Sequence, residues 1–142
     1  PTPRRVANGV DVSRVLQILA VLEKRIGLNL SKQDVYVNVI GGIDVSEPAA
    51  DLGIALAIIT CVRDVVFDSH TAIVGEIGLS GEIRAVNNIE KRINEAQNLG
   101  FKRIIIPETN DVSDDFKGIE IAKVKRIIEE EMIEHEWSPL DE

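Results

Sequence analysis

The chain has 142 residues, 44% hydrophobic and 28% charged, with 16 Lys and Arg against 24 Asp and Glu for a net charge of −8. That length fits one domain with a real core, and the charge argues against an autonomous nucleic-acid module, which usually carries a basic surplus. The longest apolar run, Ile54 to Ile59, is too short to span a membrane, no signal-peptide pattern is present, and the one cysteine, Cys61, excludes an intrachain disulfide framework. A lone cysteine fits a reducing, cytoplasmic setting, and with two distant histidines it makes no metal-ligand set.

Residues 1–10 read as an irregular lead-in, and a start at "PTPRR" reads as a fragment of something longer. Val12, Val15, Leu16, Leu19, Leu22 and Ile26 recur with helical spacing, and Gly27 supplies a stop. "DVYVNVI" (Asp34–Ile40) alternates with period two and predicts a strand, followed by a "GGIDVSE" loop. Pro48 suits the first turn of a helix running to about Val66, apolar nearly all round and therefore central, with Cys61 in the core. "TAIVGEI" reads as a strand, "GLSG" as a turn and "EIRAV" as a short strand. Ile89, Ile93, Ala96 and Leu99 mark a helix capped by Asn88 and stopped by Gly100. "RIIIP" and "IEIAKV" predict two more strands, "RIIEEEMIEHEW" a C-terminal helix, and the last residues a tail. Strands and helices interleave, so the class is α/β.

The acidic excess is uneven: residues 1–70 carry 7 basic and 8 acidic side chains, residues 71–142 carry 9 and 16. Arg4, Arg5, Arg14, Lys24, Arg25, Lys102 and Arg103 precede the acidic tail and form a candidate DNA-binding face. No G-x-x-x-x-G-K-[ST], G-x-G-x-x-G or G-x-S-x-G is present, so the chain by itself offers no phosphate loop and no nucleophile elbow. The serines fall where caps and turns are expected; Ser46 with Lys91 is the best nucleophile and base pair that can be drawn.

One stretch is unusual: "EPAADLGIALAI" (Glu47–Ile58) sets a carboxylate, Asp51, at the start of an apolar helix. "YVNVIGG", "DLGIALAI" and "AIVGEIGLSGEIRAVNNIEKRINEAQNLGFKRIIIPETN" resemble, in order, the proteolytic domain of Lon. The lead-in "RRVANGVDVSRVLQILAVLEKRIGLNLSKQDVYVNVIGG" and the "EPAADLGIA" signature are closer to the C-terminal Lon-like domain of the bacterial RadA (Sms) family, which the chain resembles over nearly its whole length. The resemblance implies a Lon proteolytic-domain-like fold (ribosomal protein S5 domain 2-like), a mixed sheet with packed helices. It divides the chain into a lead-in at 1–10 from an upstream ATPase domain, a Lon-like domain at 11–136 and a tail at 137–142.

Aligned on "GIALA", Asp51 stands at the position of the Lon serine; aligned on "GFKRIIIP", Arg92 stands at that of the lysine, with Lys91 one residue off. A carboxylate is a poor replacement for that nucleophile, and arginine stays protonated and cannot be the base. At about 100° per residue Arg92 falls inside the apolar stripe of its helix and Lys91 outside it. A buried arginine needs an acidic partner, and Asp51 is the expected one; alternatively Asp51 only favours its helix N-terminus and Arg92 snorkels. The resemblance implies a non-catalytic scaffold domain of an ATP-dependent DNA motor for recombination and repair, active in branch migration. Such a protein assembles as a homo-oligomeric, hexameric ring, contacts DNA, and carries ATP, Mg and Zn outside this stretch. It has no membrane partner and lies in the cytoplasm. The alternatives are a Ser–Lys peptidase with a displaced nucleophile and an interaction module for another repair factor.

Overall fold

A computed structural model describes residues 2–39, 45–127 and 137–139. The elements run β1 (Arg5–Asn8), α1 (Val12–Arg25), β2 (Val35–Asn38), a 3-10 turn (Pro48–Ala50), α2 (Asp51–Arg63), β3 (Val65–Phe67) and β4 (Thr71–Ile73). They continue with β5 (Glu76–Ile77), β6 (Ile83–Arg84), α3 (Ile89–Asn98), β7 (Arg103–Pro107), β8 (Glu120–Val124) and β9 (Trp137–Pro139). The α/β class expected from the alternation of elements is what the chain adopts. The mixed sheet is not: among the described residues the strands divide into parallel β1–β2, parallel β4–β7–β8, antiparallel β3–β9 and antiparallel β5–β6.

The β4–β7–β8 sheet explains the unbroken apolar run of β7, because both of its faces are covered. Ile104 and Ile106 pack with Ile89, Ile93 and Ala96 of α3. Ile105 points the other way, into the larger core built from α1 and α2. β8 follows the same alternation, with Ile121 against the α3 side and Ala122 and Val124 in the larger core. α1 buries Val15, Ile18, Leu19 and Leu22, while Val12 and Leu16, at the edge of the apolar spacing, are exposed.

Several boundaries differ from the sequence reading, each for a local reason. Residues 5–8, read as lead-in, pair in parallel register with β2, Arg5 opposite Val35. Trp137–Pro139, read as the start of the tail, pairs with Phe67–Val65. α2 stops at Arg63 instead of running to Val66, because Asp64 adopts the left-handed conformation (φ 54°) at its C-cap and releases the chain into β3. Cys61, expected in the core, is exposed. Asn88 occupies the N-cap of α3 in the left-handed region and makes no side-chain cap bond. The C-terminal helix read at Arg126–Trp137 lies largely outside the described residues.

The predicted strand Thr71–Ile77 is cut in two, and this cut builds the site. The Val74 amide still donates to Ile105 of β7 (3.0 Å), but Gly75 turns to α2: its amide donates to Ala49 (2.9 Å) and its carbonyl accepts from the Leu52 amide (3.0 Å). Gly75 thereby satisfies one of the free N–H groups at the start of α2, which has no side-chain cap. A Cβ at Gly75 would stand 3.0 Å from Ile83 Cγ2 and 3.1 Å from Leu52 Cδ2, so this close approach requires glycine.

Candidate functional site

Asp51 is the first residue of α2, and β5 runs across that end of the helix. The Ile77 amide donates to Asp51 Oδ2 at 3.1 Å. From α1, Arg14 supplies the other donors: Nε donates to Oδ1 at 2.8 Å and Nη2 to Oδ2. The geometry is a bidentate fork, the strongest arrangement open to an arginine and a carboxylate. The Asp51 side chain is 2% exposed and that of Arg14 29%. Hydrogen bonding to Asp51 is the main cause that holds the Arg14 guanidinium above its ordinary pKa, against a smaller opposing effect of burial. With three donors on two oxygens and a helix N-terminus behind it, the Asp51 carboxylate is fully engaged.

Arg92 takes a different partner from the one its phase suggested. It is a half-buried residue of α3, as the apolar stripe implied, but its Nε donates to the Asn87 carbonyl and its Nη2 to Asn87 Oδ1, both at 2.7 Å. Nη2 also pairs with Glu47 Oε1. The expected Asp51–Arg92 pair is therefore not formed: each residue has an ion partner, and the partners are Arg14 and Glu47. Both Asp51 oxygens are already occupied by α1 and β5, while Glu47, just before the 3-10 turn, reaches α3.

A small cleft of about 120 Å³ lies beside this region, lined among others by Asp11, Arg14, Ser46, Glu47 and Asp51. Ser46 faces it without a hydrogen bond to Lys91, which does not line the cleft. A larger cleft of about 620 Å³ runs between β2 and α2, lined mainly by apolar residues such as Val37, Ile54, Ala57 and Val62. Among the described residues no group of three or more His, Cys, Asp or Glu is placed to hold a metal ion. Nor is any helix among them long and apolar enough to cross a membrane.

The seven basic residues singled out in the sequence do not form one free face. Arg5 spends its guanidinium on main-chain carbonyls, including Leu30 at 2.7 Å, and Arg14 is committed to Asp51. Arg103 forks onto Glu120 of β8, with bonds of 2.9 to 3.0 Å. Arg4, Lys24, Arg25 and Lys102 are exposed, but they sit at the start of β1, the end of α1 and just before β7. The residue missed as part of the Asp51 site is Arg14. Its signal was present: at about 100° per residue it falls about 20° from Val21 and about 40° from Ile18, inside the buried arc of α1.

The sequence model of the family described as "Subunit ChlI of Mg-chelatase" matches residues 10–110, well over half of the chain. The chain belongs to that ChlI family. Among individual proteins it is 54% identical over 108 residues to the DNA repair protein RadA of Halalkalibacterium halodurans, covering 76% of this chain and 24% of the relative. It is 50% identical over 126 residues to RadA of Synechocystis (89% of this chain, 24% of the relative) and 48% identical over 128 residues to RadA of Bacillus subtilis (89% and 28%). The likeness to the RadA family read from "EPAADLGIA" and its flanks is thus borne out. The chain spans about a quarter of the length of these curated relatives.

Proposed function

We propose that this chain is a non-catalytic, Lon-like scaffold domain, centred on residues 11–136, of a RadA-type ATP-dependent DNA motor in recombination and repair. On this reading it supports assembly of a homo-oligomeric, hexameric ring and contributes to DNA contact during branch migration. ATP, Mg and Zn belong to other parts of such a protein, which works in the cytoplasm. The observation that carries the reading is the state of Asp51. A residue aligned with the Lon serine is locked between Arg14 and the Ile77 amide, as a structural element would be. Arg92, aligned with the Lon lysine, is permanently charged and tied to Asn87 and Glu47.

A fluorophosphonate serine probe tests the non-catalytic part, and no serine of the folded chain should be labelled. Stoichiometric labelling that disappears on unfolding would overturn it and return the Ser–Lys peptidase. Light scattering across concentrations tests the scaffold part, with masses at multiples of the chain expected. A strict monomer at every concentration would instead favour an interaction module for another repair factor, for which the apolar cleft beside β2 offers a surface.

A further inference from the structure

The turn between β5 and β6 is built to present one apolar side chain. Leu79 is 69% exposed at its tip, at a position where Gly, Pro, Asn, Asp and Ser are the usual choices. The turn beneath it is rigid. The Gly78 amide donates to the Glu82 carbonyl at 2.9 Å, the Gly81 amide to Gly78 at 3.0 Å, and the Ile127 amide to Gly81 at 2.9 Å. The Glu82 carboxylate folds back onto the Ser80 amide (3.0 Å) and lies so close over Gly78 that a Cβ there would clash with it. Leu79 is thus held out at little cost in chain entropy on binding.

Cations surround that tip. Arg126 Nη1 donates to the Ser80 carbonyl at 3.2 Å, and the Arg25 side chain packs on Gly81, with Cγ 3.1 Å from the position of a Cβ there. Arg84 and Lys125 line a cleft of about 530 Å³ next to the turn together with Arg126. The facing acids are Glu76, Glu82 and Glu108. Glu82 is turned into the loop as well as to Arg84 (3.3 Å), Glu76 is 3.9 Å from Arg84, and Glu108 is 3.6 Å from Lys125. Among the described residues no carboxylate reaches Arg25 or Arg126. An apolar wedge collared by arginines is the arrangement by which proteins enter an unstacked base step while holding the adjacent phosphates.

We propose that the β5–β6 turn is a nucleic-acid wedge, with Leu79 entering beside an unstacked base and Arg25, Arg84 and Arg126 holding the phosphates around it. The proposal deepens the DNA-contact part of the reading above and rests on it. Of the three arginines, only Arg25 stood among the basic residues singled out in the sequence.

The test uses the whole chain at low salt with two DNAs, an intact duplex and the same duplex with a one-nucleotide gap carrying 2-aminopurine at its edge. The wild-type chain should change the 2-aminopurine fluorescence and prefer the gapped DNA. Leu79→Ala should abolish that fluorescence change and weaken gapped-DNA binding roughly ten-fold, leaving the intact duplex unaffected. Arg25→Ala and Arg126→Ala should weaken binding to both DNAs and each lower the salt slope by about 1. Lys117→Ala, beside the C-terminal end of α3, where Gln97 donates to the Lys117 carbonyl, should change neither. The proposal is overturned if the chain binds neither DNA at low salt, if the hairpin variants bind like wild type, or if Leu79→Ala alters only the mass in solution, which would make the turn a protein contact. Wild-type binding by the hairpin variants removes the wedge and leaves the repair reading standing, whereas serine labelling removes that reading whatever the hairpin does.

Discussion

Two acid–arginine pairs stand at the start of α2, their acids four residues apart in sequence, and they differ chiefly in the burial of the acid. Asp51 is buried and receives donors from α1 and β5; Glu47 is 53% exposed and meets an Arg92 that is 21% exposed. In water-accessible surroundings a pair gains little, because hydration already satisfies both ions. In the interior the pair itself need add no net stability, yet removing one side is costly because the other charge is left without solvent. The pair at Asp51 is therefore structural, while the pair at Glu47 has an acid that keeps its hydration.

The largest effect should come from the cation. Arg14→Ala leaves a buried carboxylate with only the Ile77 amide, and urea unfolding should show a loss of about 3–5 kcal/mol. Asp51→Ala should cost somewhat less, about 2–4 kcal/mol, since Arg14 retains some solvent while the Ile77 amide loses its acceptor. Asp51→Ser should be destabilised similarly, and a casein-type assay should still detect no cleavage, since Arg92 cannot accept a proton. Arg92→Ala, which leaves behind an acid that keeps its hydration, should cost under about 1 kcal/mol by the same urea measurement. A loss at Arg92 equal to that at Arg14 would erase the distinction between the two pairs.

The smallest effect is a pH dependence outside both pairs. Asp11, Asp68 and Glu82 are held below the usual carboxylate range, chiefly by the Ser13 amide, the Thr71 hydroxyl and Glu82's own amide respectively. Because the folded values are depressed, their contribution is present above the ordinary value of about 4 and is lost as pH falls through the folded values. The melting temperature should therefore decline on acidification below about pH 4, and Glu82→Gln should soften that decline. A melting curve unchanged from pH 5 to 3 would count against these contacts.

Long elements with a clear period were legible. The 3.6-residue spacing of α1 and α3 and the apolar run of β7 follow directly from which faces they bury. The strands of β1, β3 and β9 were not, because three or four residues carry too little pattern and their pairing depends on partners distant in sequence, as in Val65 with Pro139. The break at Gly75 was hidden for the same reason: alternation through Thr71–Ile77 is continuous, and only the approach of α2 redirects the chain. At the site, the need of a buried Arg92 for an acid was readable, and so was the anomaly of Asp51. Which acid met which arginine was not, because helical phase gives the direction of a side chain and not the element across from it. The same phase test applied to Arg14 places it toward the core, whereas charge alone had assigned it to a DNA face.

Asp51 and Arg14 form one structural unit. A double-mutant cycle measures it directly, with urea unfolding of Arg14→Ala, Asp51→Ala and the combined variant. The double variant should be more stable than the sum of the single losses implies, with a coupling of about 1–3 kcal/mol. Single losses that add to within about 0.5 kcal/mol would contradict it.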